Sequence, residues 1–157
     1  MSGWYDDLVI GRSVDIGTHG FEREEILRFA SAYDPQSFHL DEEAARNGPF
    51  GALAASGWHT AAVCMGRIVR ARAGYIAEGA RRGLPASPKG PSPGFRDLRW
   101  LRPVLVGDTL RYIMTTTDKR ATSRAGWGLA FNRCEAWNQH GEKVYDYMGS
   151  SFWPLKP

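Results

Sequence analysis

An aspartate and a histidine stand five positions apart, Asp34 and His39, in the run Phe29-Ala30-Ser31-Ala32-Tyr33-Asp34-Pro35-Gln36-Ser37-Phe38-His39-Leu40-Asp41. A carboxylate beside an imidazole can hold and activate water, because the ring titrates near neutrality and the carboxylate orients its tautomer. A regular helix would set the two side chains about 140° apart, and a strand would put them on opposite faces. Only a turn lets them converge, and Pro35 supplies one by fixing its own φ and pushing Asp34 out of the helical region. Further along, Ala54-Ala55-Ser56-Gly57-Trp58-His59 reads as a helix start. Ser56 suits the N-cap, and the backbone N–H groups near Gly57 would face out of the positive helix end, where an oxyanion is stabilised.

Each of these residues also has a plainer reading. An Asp-Pro turn near a histidine can be structural, and Gly57 can be a tight-turn glycine. Gln36 either hydrogen-bonds the Asp34/His39 pair or caps the loop. His59, next to Trp58, is expected to be a packing residue, while His19 and His140 are expected in turns and carry no functional signal.

The elements that must position these groups follow from periodicity. Ile26, Phe29, Ala30 and Tyr33 recur at helical spacing, with Glu22, Glu24 and Glu25 in the first turn, so a helix should end beside Asp34. Asp41 should N-cap a shorter helix through Glu42, Glu43, Ala44 and Ala45, ended by Asn47-Gly48-Pro49, which leaves Asp34 to His39 as a loop between two helices. Ala61, Ala62, Met65, Ile68, Val69 and Arg72 then resume the helical period. Few charges interrupt positions 58 to 66, so this helix is expected at the centre of the fold, buried along much of its circumference.

Strands fill the rest. Residues 8 to 17 read as a lead-in strand or extended arm. A connection over residues 83 to 94 holds four of the nine prolines. Beyond it, residues 95 to 106 alternate imperfectly, and 109 to 118 place Leu110, Tyr112, Met114 and Thr116 on one face. Residues 127 to 137 and 143 to 153 are two further strands, joined by a hairpin turn at Asn138-Gln139-His140-Gly141-Glu142. Helices followed by an antiparallel meander predict an α+β fold in a single domain over residues 1 to 157.

Composition narrows the class. With 43% hydrophobic and 24% charged residues the chain reads as a soluble globular protein, and no apolar run approaches the roughly 18 residues of a membrane span. The start, Met1-Ser2-Gly3-Trp4-Tyr5-Asp6-Asp7, is acidic and leads into no apolar stretch, so no secretory signal is read and a cytoplasmic location is expected. Cys64 and Cys134 lack metal-ligand spacing and are expected in the core, and no metal or organic cofactor is implied. The net charge of +3 is unevenly placed: Arg67, Arg70, Arg72, Arg81, Arg82 and Lys89 face Glu78 alone. That stretch is either a solvated basic face or a contact for the phosphates of a carrier; no nucleic-acid motif accompanies it.

Together, Asp34 and His39, the preceding Glu25-Ile26-Leu27-Arg28-Phe29-Ala30, the Ala55-Ser56-Gly57-Trp58-His59-Thr60 helix start and Leu101-Arg102-Pro103-Val104-Leu105-Val106-Gly107-Asp108-Thr109-Leu110 resemble the MaoC-like dehydratases, relatives of the (R)-specific enoyl-CoA hydratases. The resemblance implies a hotdog fold, an antiparallel sheet wrapped around a long central helix, and a homodimer with the acyl tunnel near the subunit interface. It implies that Asp34 and His39 are catalytic, that the Gly57 N–H serves the oxyanion with Ser56 and Gln36 beside the substrate, and that the substrate is an acyl-CoA or acyl-carrier thioester. Here Tyr33 precedes the aspartate, where the family pattern has glycine, and Gln36 and Ser37 stand in place of its Asn-Pro pair.

Water would then be added or removed across C2–C3 of an enoyl or 3-hydroxyacyl thioester. Two other readings share the fold. A hotdog acyl-CoA thioesterase usually takes its carboxylate from the central helix, and Thr60 to Arg72 contains no Asp or Glu. A non-catalytic acyl-thioester-binding subunit would not need the Asp34/His39 pair.

Overall fold

The computed structural model describes residues 4–84 and 90–155. Five residues of the proline-rich connection, Lys89 of the basic stretch among them, lie outside the described residues. The elements run β1 (Ser13–Gly20), α1 (Arg23–Tyr33), α2 (Ser37–Leu40), α3 (Glu42–Arg46), β2 (Ala54–Ala55), α4 (Gly57–Arg81), β3 (Phe95–Trp100), β4 (Val104–Leu105), β5 (Thr109–Ala121), β6 (Trp127–Trp137) and β7 (Lys143–Pro154).

Five strands form one antiparallel sheet in the order β1-β5-β6-β7-β3. The meander β5-β6-β7 is its centre, and the β6–β7 hairpin closes where expected, with Asn138 N–H donating to the Glu142 carbonyl at 2.9 Å. The other two strands, β2 and β4, pair separately through Ala54 with Leu105 and Ala55 with Val104. Alternation along β5 sends Leu110, Tyr112 and Thr116 inward, as their spacing predicts.

Against this sheet lies α4, the 25-residue central helix of an α+β hotdog. Its Cys64 meets Cys134 of β6 in one buried cluster with Ile16, Leu110, Tyr112, Val144 and Tyr145. Both thiols are free. The Tyr112 hydroxyl donates to the Thr60 carbonyl at 3.3 Å, tying α4 to β5.

The burial of α4 differs from expectation. Trp58, Met65 and Val69 are 52%, 51% and 59% exposed, so only one stripe of the helix is covered by the sheet. A charge-free helical surface reports that a face is apolar; it does not report that the same chain covers it. The basic stretch is a solvated face at Arg70, Arg81 and Arg82, but Arg67 and Arg72 are partly covered. Arg67 packs over Gly17, where β1 bulges with φ +103, and the Arg72 guanidinium lies 4.6 Å above the Trp153 ring, where burial lowers its pKa. Arg81 and Arg82 pair with Glu78 and Asp7. No helix of the described residues is long and apolar enough to cross a membrane.

Candidate active site

Asp34 is the residue at which α1 stops. Its N–H still donates to the Ala30 carbonyl at 2.9 Å, but its backbone has left the helical region, with φ −152 and ψ 68 ahead of Pro35. The chain turns and winds one short helix, α2, rather than the open loop the sequence suggests. That turn carries His39 back toward the aspartate: His39 Nε2 lies 3.4 Å from Asp34 Oδ2.

The imidazole is buried, with 5% of the residue exposed, and its other nitrogen, Nδ1, is 2.7 Å from the Ala54 carbonyl. A carbonyl can only accept, so Nδ1 carries the proton that it donates. In the neutral ring Nε2 is therefore a free base aimed at the carboxylate.

Three groups contact Asp34. The Ser56 hydroxyl donates to Oδ2 at 2.6 Å, and the Gln36 amide donates to Oδ1 at 2.7 Å. Burial pushes the Asp34 carboxyl up, but these two bonds, joined by the charge of the His39 ring when it is protonated, outweigh it, and the net effect holds the group below its usual value. Of the two readings left open for Gln36, the hydrogen bond to the pair is the one seen. Ser56 also accepts from the Trp58 N–H at 3.2 Å, so it caps α4 and supports Asp34 with one hydroxyl.

Gly57 opens α4, and its N–H is among the first-turn groups that lack an intrahelical acceptor. Its carbonyl accepts from the Trp100 indole at 2.8 Å. The indole covers the glycine so closely that a Cβ there would stand 2.5 Å from a ring carbon, which leaves room for hydrogen alone. Asp34, His39 and Gly57 line one cleft of about 640 Å³, walled by Tyr33, Trp58 and Trp100.

The model of the MaoC like domain matches residues 8–128. The chain belongs to that family. A MaoC-like dehydratase from Rhodospirillum rubrum is 34% identical, with TM-score 0.78 and 96% of each chain covered. The uncharacterized protein YdeM of Bacillus subtilis (strain 168) is 26% identical over 141 residues, 90% of this chain and 92% of YdeM. The fold is also that of the R-hydratase PhaJ1 from Pseudomonas aeruginosa, at 23% identity and TM-score 0.73 over 97% of this chain and 86% of PhaJ1.

Within this MaoC-like domain, sequence reasoning missed a second polar cluster. His19 is not in a turn but on β1, and its Nε2 lies 2.9 Å from Glu25 Oε2. His59 Nε2 lies 3.2 Å from Oε1 of the same carboxylate. Burial pushes Glu25 up, yet the bonds from His59 and His19 bring it below its usual value; burial lowers His59. Glu25 and His59 are 34 residues apart, and no spacing rule joins them. Trp100 over Gly57 was missed for the same reason, since a tryptophan near a strand end has no pattern that points to a helix start.

Proposed function

We propose that this MaoC-like protein adds water to, or removes it from, the C2–C3 bond of an enoyl or 3-hydroxyacyl thioester. The observation that carries the reading is the facing of His39 Nε2 and Asp34 Oδ2 at 3.4 Å while His39 Nδ1 is committed to the Ala54 carbonyl. Two acceptors turned toward each other suit a molecule with two hydrogens to give, and water is one.

In hydration His39 Nε2 takes a proton from that water as its oxygen bonds to C3, while Asp34 holds the second hydrogen. The electron pair of the double bond moves toward C2 and the thioester oxygen. The Gly57 N–H at the positive end of α4 is suited to the charge that builds there. The proton held on His39 then passes to C2, which restores the neutral ring and leaves the 3-hydroxyacyl thioester. Dehydration is the same path reversed.

The aromatic cleft suits an acyl chain, and a thioester carried by coenzyme A is the substrate expected. The exposed Trp58, Met65 and Val69 of α4 and the edge strand β3 support a homodimer as the working form. The test is the decay of crotonyl-CoA absorbance, with His39→Ala in parallel and a thiol-release assay on saturated acyl-CoAs beside it. Decay by the wild type alone supports the reading. Thiol release without decay would replace it with a thioesterase.

A further inference from the structure

The His19, Glu25 and His59 cluster lies outside the cleft, since none of the three lines it. Each comes from a different element, β1, α1 and α4, and their ligating atoms all lie within 4.8 Å of one another. We propose that these side chains form a binding site for one divalent transition-metal ion of the zinc class, held by two imidazole nitrogens and one carboxylate.

The donor set argues for that class. Two neutral imidazoles and a carboxylate suit zinc and its neighbours, whereas magnesium and calcium take oxygen ligands. Both histidines present Nε2 to the carboxylate. The carboxylate-to-imidazole separations, 2.9 and 3.1 Å from His19 to the two Glu25 oxygens and 3.2 Å from His59, are close to the roughly 3.3 Å between donors set about 2.0 Å from a tetrahedral zinc, and the three ligand atoms together fall within 4.8 Å.

The rings are held before any ion arrives. Phe21, fully buried, meets both imidazoles edge-on with centroids 5.0 Å away, and Phe29 stacks on His59 at 4.6 Å with a 7° interplanar angle. Packing thus fixes the His59 ring, whose buried Nδ1 has no hydrogen-bond partner among the described residues. On the other side the His19 and Glu25 side chains are 23% and 27% exposed, which leaves an approach for the ion and for water to complete its shell.

The alternative is a carboxylate that accepts two N–H bonds and binds nothing. Titration of the full-length, tag-free, chelator-treated protein with Zn²⁺ by calorimetry separates the two, with Co²⁺ absorption in the visible as a second readout. The expected result is one ion per chain with Kd of about 10 μM or tighter, cobalt d–d bands, and a Tm rise of about 5–10 °C at about 100 times Kd. His19→Ala and Glu25→Gln, both at partly exposed positions, should keep the native circular dichroism and weaken binding about 100-fold. No saturable binding, or binding that both variants leave unchanged, would overturn the site. Neither readout uses turnover, so the result stands apart from the hydratase reading.

Discussion

The Ser56 hydroxyl donates to Asp34 Oδ2 at 2.6 Å while accepting from the Trp58 N–H, so one hydroxyl joins the end of α1 to the start of α4. Ser56→Ala removes the N-cap and a bond to a charged acceptor together. It should cost about 1–3 kcal/mol of stability, and under the hydratase reading it should lower kcat more than it raises KM. Chemical denaturation and steady-state kinetics on the same preparation check both halves.

Asp34→Asn and His39→Ala should each retain the fold and lose about 100- to 10,000-fold in turnover. Circular dichroism and the crotonyl-CoA assay test this directly. An Asp34→Asn variant with the wild-type rate would remove the carboxylate from the mechanism.

The Asp34 carboxyl lies below its ordinary value in the folded protein, so the folded state binds its proton less readily than the unfolded chain. The resulting stabilisation is complete above the unfolded value of about 3.9 and fades as pH falls through the lower folded value. Urea unfolding should therefore show a gap between wild type and Asp34→Asn that is steady from about pH 5 to 7 and narrows below about pH 4. A gap that stays constant into acid would contradict the assignment.

Gly57→Ala drives a Cβ into the Trp100 indole. The indole must move, its bond to the Gly57 carbonyl is lost, and the expected destabilisation is about 1–3 kcal/mol. Trp100→Ala removes the obstruction. The two substitutions together should therefore cost less than the sum of their separate effects by about 0.5–3 kcal/mol in thermal unfolding.

The legible parts of this molecule were those governed by local rules. Pro35 announced the end of α1, Asp41 and Ser56 announced their caps, and alternation in β5 set its inward face. The Asp34 and His39 pair was visible because a short turn brings it together. What escaped depends on packing between distant segments. His19, Glu25 and His59 meet only once β1, α1 and α4 are assembled. The exposed stripe of α4 escaped for a different reason, because apolar periodicity does not name the partner that will cover it.

The His39 ring takes its bearing from the Ala54 carbonyl, a main-chain atom. No replacement of the side chain at position 54 can delete that acceptor. Ala54 in turn is held by β2–β4 pairing, with the Val106 N–H donating to the neighbouring Leu53 carbonyl at 2.9 Å. The proton inventory of the imidazole is thus written into chain connectivity, and the changes able to alter it are those that shift this small ribbon, such as a proline at Val106 or an inserted residue between Pro103 and Gly107.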